Sequence, residues 1–199
     1  MRTLRTTALV TAPPMLLAVA GLVHPIRLTA MTAGHWAGLH VALLPVFPLL
    51  VLGLLVPLWG RPRRDAEGAL TVLAWAGCLC YAAYYLGLDA VAGISAGTVA
   101  AHGSTHGVVG RLFAAGDELG RVGVYGLAVA SLATCAVLGR RHGVRVLPGA
   151  VVLLGACWSF LDSHIFWPRG VFTMLGFAVA FALLTVATSR PGTERLTNP

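Results

Sequence analysis

Six stretches of the chain run almost free of charge for roughly 19 to 24 positions each: about 6–24, 36–59, 69–91, 118–138, 147–167 and 170–189. About 20 apolar residues in a helix match the thickness of a bilayer's hydrocarbon core. The pattern therefore predicts an all-α polytopic membrane protein, a bundle of six transmembrane helices forming a single domain over residues 1–199. The connections are short except for a Gly-rich one at about 92–117, read as a long loop with a function of its own. The second stretch contains Pro45, Pro48 and Pro57, which remove backbone donors and predict a kinked or locally unwound helix. Gly93, Gly97, Gly116 and Gly120 sit in two G-x-x-x-G spacings, which allow close helix contact.

Polar residues inside these stretches recur at helical spacing. Cys78, Tyr81, Tyr85 and Asp89 share one face of the third span. Asp117, Glu118, Arg121 and Tyr125 open the fourth, and Ser159, Asp162 and Ser163 fall together near the end of the fifth. A lone ionised group costs roughly 2.5 to 3.5 kcal/mol at the centre of a membrane helix, so such groups pair or face water. Arg121 is expected to pair with Asp162 or Asp89.

Composition agrees with the pattern. Hydrophobic residues make up 57% of the chain and charged residues 11%, with a mean hydropathy of +0.82. The formal charge is +7. All the basic residues are arginine, and ten of the 14 fall in alternate connections: Arg2, Arg5, Arg61, Arg63, Arg64, Arg140, Arg141, Arg145, Arg190 and Arg195. By the positive-inside rule these connections are cytoplasmic, as are both termini. The excess charge thus reads as a topology signal with contacts to anionic lipid, and no nucleic-acid partner is expected. Arginine without lysine in an Ala-, Gly- and Val-rich chain suggests a bacterial inner membrane. Residues 1–20 have the layout of a signal peptide ending in Ala18-Val19-Ala20, but Pro13-Pro14 interrupts the apolar region, so the segment reads as a retained first span.

Candidate chemistry gathers on the side opposite the arginines. Six of the seven histidines fall there: His24, His35, His40, His102, His106 and His164. Imidazole is the side chain most used as a metal ligand or proton carrier near neutral pH. His24 and His35 read as interfacial. His102 and His106, in an H-x-x-x-H spacing, with Asp162 and His164, form one candidate metal set. A haem between His40 and His164 is the other cofactor the histidines allow. Gly93-Ile94-Ser95-Ala96-Gly97 matches the G-x-S-x-G of serine hydrolases, making Ser95 a candidate nucleophile, although no strand precedes it. Cys78, Cys80, Cys135 and Cys157 lie within predicted spans and are read as unpaired. The absence of lysine excludes a P-loop and Schiff-base chemistry.

The reading that results is an outer-side polar pocket lined by Asp89, Arg121, Tyr125, Asp162, His164 and His40, which binds or translocates a small polar solute, ion or proton. A membrane-embedded hydrolase, metal-assisted or built on Ser95 and acting on lipid or envelope substrates, is the alternative. A structural or accessory membrane subunit is the third. The lipid bilayer is the one partner the composition itself requires.

Overall fold

The structure is a computed structural model, and it describes residues 1–103 and 106–189, the His106 side chain excepted. Among these residues all the regular structure is helical, and there is no strand. Helix α1 covers Arg2–Val23 and α2 covers Ala33–Leu43. After α2 come a 3₁₀ turn at Phe47–Val51, the single turn α3 at Leu52–Leu55, and another 3₁₀ turn at Val56–Leu58. Helix α4 spans Ala66–Leu88 and runs through a π-helical stretch, Asp89–Ser95, into α5 at Ala96–Ala101. Helix α6 is His106–His142, α7 is Leu147–Phe160 and α8 is Arg169–Ser189.

Among the described residues four helical segments are long and apolar enough to cross a membrane, and a fifth is added if the bent pair Ala33–Leu43 and Phe47–Leu58 is one span. The bend is 44°. It falls at Pro45 and Pro48, where the missing N–H groups break the helical ladder as the sequence predicts. One of the four segments, Gly107–Phe160, contains both α6 and α7. The chain reverses within it at Gly143, whose φ of +64° suits glycine. Ser131 of α6 then lies 3.3 Å from Cys157 of α7.

Two expectations about element limits are corrected. Among the described residues the segment 92–117 is helical except at His102 and Gly103, because α4 continues through the π turn and α6 begins at His106. Its alanines favour a helix despite the glycines. The fifth span ends at Phe160 rather than at 167, so Asp162 lies beyond the helix in the connection to α8.

Small residues set the helix spacing. A Cβ on Gly77 of α4 would come within 2.6 Å of the Gly126 carbonyl of α6. Gly116 and Gly120 of α6 lie equally close to Ala92 and Leu88. Gly97 meets Ala37 of α2, and Gly93 meets His40. Both G-x-x-x-G spacings therefore mark close contacts, the arrangement expected where packing replaces the hydrophobic effect as the driving force between helices. Phe47, Leu50, Leu54, Leu127, Phe177 and Phe181 fill the interior. Val151, Trp158 and Phe172 point outward, as side chains facing lipid do. At one end, Asp65 caps α4 by accepting from the Gly68 N–H at 2.9 Å. Close by, Arg141 at the end of α6 holds Glu67 at 2.7 Å.

Candidate metal centre

At the other end of the bundle, four elements meet. Helix α1 delivers His24 at its C-terminal cap, α2 delivers Trp36 and His40, α4 and the π turn deliver Tyr85 and Asp89, and the connection from α7 to α8 delivers His164. The face of α4 drawn from the sequence is correct: Cys78, Tyr81, Tyr85 and Asp89 are all buried.

Three imidazoles converge there. His24, His40 and His164 each offer one ligand atom, and these atoms all lie within 4.8 Å of one another. Ring centroids are 5.0 Å apart for His24 and His40, 5.9 Å for His24 and His164 and 5.8 Å for His40 and His164. The Nδ1 atoms are engaged away from the cluster. Nδ1 of His24 lies 2.8 Å from the Pro25 carbonyl, and Nδ1 of His40 lies 2.7 Å from the Trp36 carbonyl. A carbonyl only accepts, so both Nδ1 atoms carry the proton and donate it. In the neutral form of these two rings, the Nε2 atoms therefore hold the lone pairs. His164 Nδ1 lies 2.8 Å from the Tyr85 hydroxyl, which leaves its Nε2 as the remaining atom. Metal-binding histidines show this pattern, the outer nitrogen fixed by an oxygen and the inner one free.

Asp89 completes the cluster. It is fully buried, neither carboxylate oxygen has a hydrogen-bond partner, and the same holds for Nε2 of His24 and His164. Its Oδ1 lies 3.8 Å from Nε2 of His40. A desolvated carboxylate beside His40, at the edge of three converging imidazoles, is an unfavourable group of acceptors unless a cation or protons lie among them. His24 and His164 stand in the connections beyond α1 and α7. Burial lowers His24 to about 4, with smaller effects from its Pro25 bond and from His40 and His35. It holds His164 well below the usual imidazole range, with His40 and His24 adding to the shift. Both rings are thus in the neutral form that binds metal.

Aromatic rings wall the cluster. Trp36 lies edge-on to His24 at 4.8 Å and stacks on His40 at 5.3 Å. Phe166 covers His24 at 4.6 Å, and Phe47 covers His164 at 5.3 Å. The Trp36 indole N–H donates to the Ala92 carbonyl at 3.2 Å, within the π-helical stretch. A π turn disturbs the regular helical ladder and is often found at functional sites. Here it also brings Gly93 against the His40 ring, where a side chain has no room.

The three histidines fit a metal ion held by nitrogen, and Asp89, 3.8 Å from His40, is the nearby oxygen donor. The set does not fit a haem held by His40 and His164. A macrocycle between those rings would occupy the position of His24, 5.0 and 5.9 Å from their centroids.

No known protein family, curated protein or solved structure matches the chain.

The remaining candidates from the sequence are placed as follows. His40, Asp89 and His164 are together in the cluster. Arg121, Asp162 and one edge of His164 instead line an adjoining cavity, which Tyr85 also reaches. Tyr125 is exposed and lines neither. Arg121 pairs with neither Asp162 nor Asp89, because one turn along its own helix Glu118 lies 3.5 Å away. Asp162 is held instead by Arg169 at 3.6 Å. In the proposed set of His102, His106, His164 and Asp162, His102 is exposed and turned back to the Thr98 carbonyl, and the His106 side chain lies outside the described residues. Ser95 is exposed, and its hydroxyl donates to the Ala90 carbonyl at 2.9 Å.

Sequence reasoning did not include His24 in the site, nor Trp36. His24 looked interfacial, beside a proline at the end of an apolar run. Its partners are 16 and 140 residues away along the chain, and no local spacing encodes such a set.

Proposed function

We propose that this chain is a six-span protein of a bacterial cell membrane, with both termini cytoplasmic, that binds a divalent transition-metal ion near the outer end of its bundle. His24, His40 and His164 supply nitrogen ligands and Asp89 the oxygen. Zinc is the first choice, since four mixed nitrogen and oxygen donors suit it without a demand for a particular d-electron geometry. This sharpens the small polar solute, ion or proton of the sequence reading to a metal cation. The observation that carries it is the convergence of three fixed imidazoles, with a buried carboxylate that has no hydrogen-bond partner beside one of them, at 3.8 Å from His40.

The topology rests on two supports. The arginines at 61, 63, 64, 140, 141 and 145 belong to the end of the bundle that the Arg141–Glu67 pair ties together, opposite the cluster. Counting α6 and α7 as separate spans that reverse at Gly143, and the bent Ala33–Leu58 segment as one, gives six.

Metal content decides the matter. Protein purified in detergent and incubated with zinc is expected to retain about one ion per chain by mass spectrometry. His24→Ala, His40→Ala and His164→Ala each lose it, while His102→Ala keeps it. Cobalt in place of zinc should give the visible absorption of a four-coordinate site. If wild type retains no metal, or if His102→Ala loses as much as His40→Ala, the centre is not where it is drawn.

A further inference from the structure

Beside the cluster lies a cavity of about 510 Å³ between α6 and the connection to α8. Its volume is in the range of small-molecule sites, about 300 to 1,000 Å³. The metal centre accounts for only its inner edge, at His164 and Tyr85. The rest is lined by two walls of like composition: Asp117 and Arg121 one turn apart on α6, and Asp162 and Arg169 across from them.

The existing pairings of these groups are slack. Arg121 reaches Glu118 at 3.5 Å. Arg169 reaches Asp162 at 3.6 Å and Ser159 Oγ at 3.4 Å. Where this chain makes a structural ion pair, it makes it tightly, as between Arg141 and Glu67 at 2.7 Å. Strong guanidinium–carboxylate contacts have that shorter length, about 2.7 to 2.9 Å. Asp117 forms no ion pair among the described residues. Each guanidinium has five N–H donors, so both retain donors for a ligand.

We propose that this cavity binds a small zwitterion, with a primary ammonium and an oxyanion a few bonds apart. Arg121 and Arg169 take the oxyanion, Asp117 and Asp162 take the ammonium, and the carbon skeleton lies against Phe160 and Trp167. The two acids offset the two bases, so a bare anion meets as much repulsion as attraction, whereas a zwitterion satisfies all four groups. An amino acid has this chemistry, and so does the phosphoethanolamine headgroup of a lipid. None of the four charged residues is a metal donor in the reading above. Failure here therefore leaves zinc retention unaffected, and the converse also holds.

The test is calorimetric titration of the full chain in detergent with O-phosphoethanolamine and with L-alanine, against inorganic phosphate and O-phosphocholine. Phosphocholine keeps the charge but loses the N–H donors. The expected result is binding of at least one primary-ammonium zwitterion, with phosphate and phosphocholine at least tenfold weaker. Asp117→Asn, and Arg121→Gln, which gives up only an exposed 3.5 Å contact with Glu118, each reduce affinity at least tenfold. Arg111→Gln, which does not line the cavity, leaves it unchanged. Binding of alanine identifies a free solute as the source. Binding of phosphoethanolamine alone, with phosphatidylethanolamine retained in preference to phosphatidylcholine, identifies the lipid. If neither zwitterion binds, or phosphate binds equally well, the proposal is overturned.

Discussion

A carboxylate with no exposure and no hydrogen bond costs a fold about 1 to 3 kcal/mol or more, and Asp89 is in that position. In a centre built to hold a cation, that cost is offset only when the cation is bound. Two opposite effects are therefore expected of Asp89→Leu. Without metal the variant should be more thermally stable than wild type, because the orphaned acceptors are gone. With zinc in excess it should be less stable, because it has lost a ligand. Thermal unfolding with and without zinc checks this, and a variant less stable under both conditions would mean that Asp89 is purely structural. Gly93→Ala tests the same centre without removing a donor. Its Cβ would collide with the His40 ring, and overpacking of that kind costs about 1 to 3 kcal/mol, so zinc affinity should fall about tenfold or more while the fold is retained.

Among the elements, the helices with clear periodicity were legible and their ends were not. The buried face of α4 follows from residues at three- and four-residue steps, and the break after α2 follows from Pro45 and Pro48. The π turn at Asp89–Ser95 could not be read, because it depends on contacts with α2 and α6 that no local spacing reports. The overall glycine content of 92–117 suggests a loop, whereas the G-x-x-x-G spacings at 93/97 and 116/120 read as close helix contacts, and it is that close approach which the structure shows. One helix end lies three residues before the predicted span, at a cap. Asp65 precedes the apolar run of α4 and caps it, and the Gly68 N–H bond, aided by Arg63, holds its carboxyl below the usual range although desolvation opposes this. A depressed folded-state pKa gives a contribution that is present above the unfolded value, about 4, and lost as pH falls through the folded one. Amide exchange in the first turn of α4, corrected for its intrinsic rate, should rise over that acid range in wild type. In Asp65→Ala it should already be high at neutral pH and change little.

For the molecule as a whole, ionisable groups divide between two ends that do different work. The arginine-rich end is held by short, ordinary pairs such as Arg141 with Glu67. The other end gathers three histidines and Asp89 from four separate elements, which is why its composition was visible in the sequence and its geometry was not. Helix α6 has 37 residues, about 55 Å at 1.5 Å per residue, and so exceeds a hydrocarbon core of about 30 Å. Its first turns, with Arg111, Asp117 and Glu118, should therefore stand clear of the membrane on the side of the histidine cluster. A cysteine-free background makes this measurable, since the four native cysteines are free and none forms a disulfide. Arg111→Cys should react with a membrane-impermeant maleimide in intact spheroplasts, and Arg64→Cys only after permeabilisation. The opposite pattern would put the metal centre at the cytoplasmic end, where its ligand would have to come from inside the cell.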